Sequence, residues 1–335
     1  MSSIDKEIER FLDQHAARSL NTSRTYRHGL RRFQEFLGER DVDVEGPVGQ
    51  LTLSLARDFV TWMGQQTYRK TPNGPERHLS MRTRQNYVMA VSGLYRQLVM
   101  DGRLPGVTYS EYLAMHEALA HATKFKDVPL EKKLPSDEVI QAIIEAINEP
   151  PNLDNLKPRQ ARRTHLVWLR DRAMILALYS TGMRVGELVS LRRGDLDYED
   201  QGAWVNGKGD RVRFVRFSRE TWGALTAYLE ARRDENLQGS IADRPLFARH
   251  DRSAGDFRVL PLTVLSVEKT ITHLARATGV LARFNLTPHS FRHYFATRFL
   301  RHTSDLALTQ DVMGHASPIT TRLYAKTSKE QHIQA

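Results

Sequence analysis

The sequence predicts a mainly α-helical protein with a small β-sheet, divided into two domains. Three observations carry this. Apolar residues recur at helical spacing through most of the 335 residues, strand-like alternation appears only over 203–215, and a charged segment broken by two prolines interrupts the pattern at 124–135. A chain of this length can bury two cores of ordinary size.

The first third reads as helices. Ile4, Ile8, Phe11 and Leu12 mark the first. A second follows a cap-like Asn21-Thr22-Ser23 and sets Tyr26, Leu30, Phe33, Phe36 and Leu37 on one face, with Arg24, Arg27, Arg31 and Arg32 decorating it. A third runs from Leu55 to Met63 behind Thr52 and Ser54, a fourth follows Ser80 with Tyr87, Val91, Leu94, Tyr95 and Leu98, and a fifth covers Tyr109 to His121. Together they predict a compact bundle. Between the third and fourth, Pro72, Gly74 and Pro75 predict an irregular connection over 68–78, made basic by Arg69, Lys70 and Arg77. It suits either a phosphate backbone or plain solvent.

Pro129 and Pro135 place a linker at 127–135, between a first domain over 1–126 and a second over 136–335. Ser136 is positioned to cap a helix carrying Val139, Ile140, Ile143, Ile144 and Ile147. After a polar, proline-rich stretch at 149–158, a buried helix runs through Leu166, Trp168, Leu169, Ala173, Ile175, Leu176 and Tyr179 to Thr181-Gly182, and the next carries Glu187, Leu188 and Leu191. Gly207 and Gly209 then mark a hairpin turn inside the alternating run, with Lys208 at its tip. Helices return near 220–233, 262–277, 289–301 and 306–313.

Composition narrows the function. The net charge of +10 points to an anionic partner, nucleic acid before membrane. The excess is shared, with 18 basic and 14 acidic residues over 1–126 and 31 and 25 over the rest, as suits two lobes gripping one polyanion. The absence of cysteine removes disulfides, thiolate metal sites and thiol nucleophiles. No apolar run reaches the roughly 20 residues of a membrane span, and the start of the chain is polar and acidic rather than a leader, so a soluble, cytoplasmic, nucleoid-associated protein is expected.

The chemistry-bearing residues are Arg184 in Thr181-Gly182-Met183-Arg184-Val185-Gly186-Glu187-Leu188, then His289-Ser290-Phe291-Arg292, Gly314-His315 and Tyr324. Arginine presents a planar fork that matches phosphate oxygens and keeps its charge. Histidine moves protons near neutral pH, and tyrosine offers an oxygen nucleophile. Such a set can attack a phosphodiester without a metal.

Taken in order, the Arg184 motif, Lys208 within Gly207-Lys208-Gly209, His289-Ser290-Phe291-Arg292-His293, Gly314-His315 and Tyr324 nine residues later resemble the tyrosine recombinase, or phage integrase, family. The ordered series carries the signal, since each item alone recurs by chance. The resemblance implies an N-terminal helical-bundle, SAM-like DNA-binding domain and a mixed α/β catalytic domain. Residues 1–126 match only in pattern.

By that resemblance, Tyr324 attacks the scissile phosphate to form a 3′-phosphotyrosyl link and release a 5′-hydroxyl. A free tyrosine has a pKa of about 10, so only about a thousandth is ionised at neutral pH and a base or positive field is needed. His289 is the candidate base or proton shuttle, His315 a donor to a phosphate oxygen, and Lys208 the acid for the leaving oxygen. Arg184 and Arg292 would clamp the non-bridging oxygens, where losing one such donor costs about 10² to 10³ in rate. Glu187 is expected to orient its neighbours.

Rival assignments remain at single positions. Arg211 competes with Lys208 for the hairpin role, and Tyr294 with Tyr324, though its aromatic and apolar neighbours favour packing. His293 reads as a buried hydrogen-bonding residue. His289 and His293 lie four apart, but no glutamate follows His289 as in the metalloprotease signature and no third ligand suggests itself, so neither metal nor cofactor is expected.

Two departures from the family pattern stand out. His302-Thr303-Ser304 occupies a position where relatives often carry glycine, so another turn geometry is expected there. Only 11 residues follow Tyr324, with Ile333 as the one large apolar side chain, which predicts weak docking onto a neighbouring protomer. The implied partners are double-stranded DNA with specific target sites, a homo-tetramer on that DNA exchanging strands through a Holliday junction, and accessory DNA-bending proteins. The alternatives are a type IB topoisomerase and a catalytically idle DNA-binding accessory protein.

Overall fold

The computed structural model describes residues 2–17, 20–69, 74–123, 134–207, 212–234, 239–251 and 259–314. The protein is mainly helical with small sheets, and the chain separates into two compact units, Met1–Leu130 and Glu131–Ala335.

The first unit holds α1 (Ile4–Ala16), α2 (Leu20–Gly38), α3 (Leu53–Gln65), α4 (Met81–Met100) and α5 (Tyr109–Ala122). Its core gathers Leu30, Phe33, Phe36 and Leu37 of α2 with Phe59 and Met63 of α3, Leu94 and Tyr95 of α4 and Met115 and Leu119 of α5, all essentially inaccessible. Phe33 meets the edge of Phe59 at 5.2 Å, and the Tyr95 hydroxyl donates to the Thr52 carbonyl at 2.9 Å. Thr52 and Ser80 cap α3 and α4 by accepting from the backbone N–H of Leu55 and Thr83.

Two expectations change here. Asn21-Thr22-Ser23 is not a cap: α2 begins at Leu20, and the Ser23 hydroxyl donates to the Leu12 carbonyl at 3.2 Å, fastening α2 to α1. The stretch over 68–78 is not wholly irregular either. β1 (Thr67–Arg69) and β2 (Glu76–His78) pair antiparallel, Tyr68 opposite Arg77, with an Arg69–Glu76 ion pair of 2.9 Å across the ladder. The prolines and glycine lie between the strands, where they leave the ladder untouched.

The second unit is built around α7 (Pro158–Thr181). Its buried run from Ala173 to Leu178 meets α6 (Asp137–Asn148), α9 (Arg219–Arg232) and α11 (Pro288–Thr303) in one core with Ile140, Ile143, Leu225, Tyr228 and Phe291. Ser136 caps α6 by accepting from the Val139 N–H. The helix α7 begins at the last residue of the proline-rich stretch, because Pro158 takes the first helical position, where no N–H is needed. Completing the unit are α8 (Val185–Ser190), α10 (Val264–Ala277), α12 (Leu306–Met313) and a sheet of β3 (Leu196–Asp197), β4 (Gly202–Asn206) and β5 (Val212–Arg216). The sheet is antiparallel in the order β3-β4-β5, with Val205 opposite Arg213. Alternation over 203–215 captured two strands; β3 is too short to leave a periodic trace.

After α11, Ser304 takes φ +54, the left-handed conformation glycine usually supplies. The turn therefore keeps the glycine geometry with a serine, rather than adopting another.

A buried polar network gathers at the end of α9. The fully buried Asp234 carboxylate receives the Arg193 Nη1 at 3.0 Å and the Arg232 Nε at 2.8 Å, while the Tyr228 hydroxyl and the His250 Nε2 lie 3.0 Å apart. Burial, reinforced by the charges of Arg170 and Arg232, lowers His250 to about 4, which keeps it neutral at ordinary pH. Among the described residues, no helix is long and apolar enough to cross a membrane.

Candidate active site

The site starts from the way α7 stops. At Gly182 the backbone turns left-handed, φ +61, and a Cβ there would stand 2.5 Å from the Phe295 ring of α11. Conformation and close approach both demand glycine. Thr181 steadies the turn, its hydroxyl donating to the Ala177 carbonyl at 2.7 Å and accepting from the Met183 N–H at 3.2 Å. Buried Met183 anchors the turn, leaving Arg184 at the N-cap of α8 with its side chain 31% exposed.

Arg184 has three ties. Its Nη1 donates to the Glu187 Oε1 at 2.7 Å, its backbone N–H to the Glu187 Oε2 at 2.8 Å, and its Nη2 to the Gly314 carbonyl at 3.1 Å. Glu187 also receives Arg213 of β5 as a two-point fork, at 3.0 and 2.8 Å. Burial alone would push the Glu187 carboxyl up, but the hydrogen bonds from Arg213 and Arg184 and the Arg213 charge outweigh it and hold the pKa at about 2. The carboxylate is therefore ionised and serves to orient two arginines.

Arg292 comes from the second turn of α11, a helix started by Pro288 and a reciprocal Thr287–Ser290 capping box. It is buried, 4% exposed, and bridges two turns: Nη1 donates to the Gly182 carbonyl at 2.7 Å and Nη2 to the Met313 carbonyl at 2.5 Å. Met313 ends α12, and Gly314 follows with φ +59. The two sequence-predicted arginines thus meet through the turns at 182 and 313–314, although α8, the sheet, α9 and α10 separate them in the chain.

His289 is exposed, three residues before Arg292 on α11, so both point along one side of the helix. Its ring centroid lies 6.4 Å from that of His293, which is half-buried. Tyr294 is 9% exposed, stacks on Tyr179 at 5.9 Å, and has its pKa raised to about 12 by burial and then by Asp137. Burial and the raised pKa suit packing, not attack. Lys208, Arg211, His315 and Tyr324 lie outside the described residues; β4 and Gly314 bring the chain to the two segments that contain them.

Sequence reasoning missed Arg213. A signal existed: within an alternating strand, Arg213 shares the inward face with the buried Val215, where an arginine is out of place unless paired.

Residues 136–331 match the family model described as the phage integrase family. The chain is 28% identical over 331 residues to the tyrosine recombinase XerD of Mycobacterium tuberculosis H37Rv, covering 97% of this chain and 94% of that protein. It is 26% identical over 338 residues to the tyrosine recombinase XerC of Listeria monocytogenes serotype 4a, covering 100% and 97%. Two solved structures share the fold. The XerH site-specific recombinase bound to palindromic difH substrate, a post-cleavage complex, has a TM-score of 0.64 at 21% identity, over 98% of this chain and 82% of that one. The Tn1549 transposon integrase in complex with transposon right end DNA has a TM-score of 0.63 at 17% identity, over 99% and 100%.

Proposed function

The chain belongs to the phage integrase family of tyrosine recombinases, and from that premise we propose that it is a site-specific recombinase that cleaves and rejoins double-stranded DNA through a covalent 3′-phosphotyrosyl intermediate. The observation that carries the reading is the linked pair of arginines. Arg292 holds the carbonyl of the turn that presents Arg184, and Glu187 orients the Arg184 guanidinium. Two fixed guanidinium groups in one site suit a trigonal-bipyramidal phosphoryl group, whose non-bridging oxygens gain charge in the transition state.

In this reading the Tyr324 oxygen attacks phosphorus as His289 accepts its proton, while His315 donates to a non-bridging oxygen. The bond from phosphorus to the 5′-oxygen breaks, and Lys208 supplies the proton that the departing oxygen takes. The 5′-hydroxyl of a second strand then attacks the phosphotyrosyl link and returns the tyrosine. One phosphodiester is exchanged for another, so no ATP is required, and in this reading cationic side chains rather than a metal balance the charge on the phosphoryl group.

The wider assignment follows from the family. The helical first unit is a SAM-like DNA-binding domain covering residues 1–126, joined by a linker at 127–135 to a catalytic domain over 136–335. Four protomers pair two target sites through a Holliday junction on the cytoplasmic nucleoid, with accessory DNA-bending proteins among the partners. The similarity to XerD and XerC over nearly the whole chain supports a site-specific role.

The decisive experiment uses a DNA substrate nicked beside the cleavage position, which traps the covalent species. Wild type accumulates a protein–DNA adduct and Tyr324→Phe does not. Absence of adduct with wild type on its own site would leave a DNA-binding accessory role, and relaxation of a supercoiled plasmid carrying one site, without exchange between two, would mark a topoisomerase.

A further inference from the structure

We propose that Arg213 is a positioning residue of the strand-transfer site, which holds the β4–β5 hairpin in register with the turn that presents Arg184; the inference rests on the recombinase reading above. Arg213 stands second in β5, and its side chain is only 13% exposed. Burying a guanidinium in a strand costs more than an ordinary ion pair returns unless its geometry is good. Here Nη1 and Nη2 are both given to Glu187, and that carboxylate also receives the Arg184 side chain and backbone N–H.

The same side chain reaches a third segment. A Cβ on Gly314 would stand 3.1 Å from the Arg213 Cδ and Nη1, and the Gly314 carbonyl accepts from the Arg184 Nη2 at 3.1 Å. One residue therefore touches the sheet, the Glu187 carboxylate that orients Arg184, and the turn that leads to residue 315.

Its place along the strand gives the contact its consequence. Val212 is 60% exposed and Asn206, opposite it, is exposed too, so neither holds this end of the hairpin. The inward anchors there are Val205 and, opposite it, Arg213. Val205 packs against the core without fixing direction, whereas the fork to Glu187 fixes distance and angle. The connection that follows β4 contains Lys208, the acid assigned to the leaving oxygen. Losing the Arg213 tie lets that end of the hairpin move relative to Arg184.

A leaving-group test isolates this. When sulfur replaces the bridging 5′-oxygen, the departing thiol has a pKa of about 8.5 and leaves without a proton, so a misplaced acid no longer matters. With Arg213→Gln, adduct formation on ordinary DNA should slow by about 100-fold, the scale of a misplaced catalytic group, and on the 5′-bridging phosphorothiolate by less than about 10-fold, with DNA affinity unchanged. If thermal melting finds Arg213→Gln unfolded, Arg213→Lys, which keeps the charge without the fork, carries the test: about 10-fold slower on ordinary DNA, and at the wild-type rate on the thiolate. Adduct formation on ordinary DNA within about threefold of wild type, or equal slowing on both substrates, overturns the inference while the recombinase reading stands. Wild type that forms no adduct on either substrate overturns that reading, and the inference with it.

Discussion

The Arg292 Nη1 donates to the carbonyl oxygen of Gly182 at 2.7 Å, so the buried arginine of the site is built into the turn that presents the half-buried Arg184. A lysine in its place keeps the charge but cannot bridge the Gly182 and Met313 carbonyls with a planar fork. Arg292→Lys is expected to slow adduct formation on nicked DNA by about 10² to 10³ while the protein still binds DNA. A rate within threefold of wild type would remove Arg292 from the machinery.

Gly182 is predicted to be intolerant of alanine for two additive reasons. Its φ of +61 costs a side chain about 1 kcal/mol, and the added Cβ would meet Phe295 at 2.5 Å. Gly182→Ala should lose at least about 2 kcal/mol in denaturant unfolding. Combining it with Phe295→Ala should remove the clash and leave the conformational part; full recovery would contradict the role of the backbone.

Stability should track pH through half-buried His250 and buried Glu187. His250 titrates near 4 when folded, so the unfolded chain binds the proton more readily between about 6.5 and 4. Stability falls as pH drops through that window, by at most about 3 kcal/mol, and His250→Gln should flatten it. Glu187, held at about 2, contributes stability fully above its ordinary carboxylate range and loses it as pH falls towards 2. Chemical denaturation at half-unit pH steps tests both, and an unchanged profile in His250→Gln would refute the first.

Tyr294→Phe is expected to keep adduct formation within about threefold of wild type, because the side chain packs on Tyr179 and its pKa is raised to about 12. Tyr324→Phe should abolish it. The reverse pattern would reassign the nucleophile.

DNA binding should weaken steeply with salt. An excess of ten positive charges on the chain is expected to neutralise several phosphates and give a log–log slope steeper than about −3. Fluorescence anisotropy from 50 to about 300 mM salt measures it, and a flat response would mean that the basic excess does not grip DNA.

Much of the molecule was legible beforehand. The caps at Thr52, Ser80 and Ser136, and the ends of α7 at Gly182 and α12 at Gly314, are local features, written by residues whose short-range chemistry allows little else. The arginine motif was legible because its spacing is itself geometric: Glu187 sits three residues after Arg184, where a helix N-terminus returns it to the Arg184 backbone. Two expectations failed because a partner outside the helical pattern decided. The Ser23 hydroxyl donates to Leu12 of another helix, and β1 and β2 pair across a connection whose prolines predict an irregular backbone.

The amino-acid sequence by itself determined the helical class, the cap and turn chemistry, the basic excess and the identity of the groups able to move a phosphoryl group. Each of these depends on neighbours within about one helical turn or on composition. Tertiary structure alone decided that Arg292 would hold the Gly182 turn and that Arg213 would answer Glu187 from a strand. Those outcomes rest on long-range packing: a buried carbonyl or carboxylate must find a donor, and which donor reaches it is set by how helices and sheet close on one core.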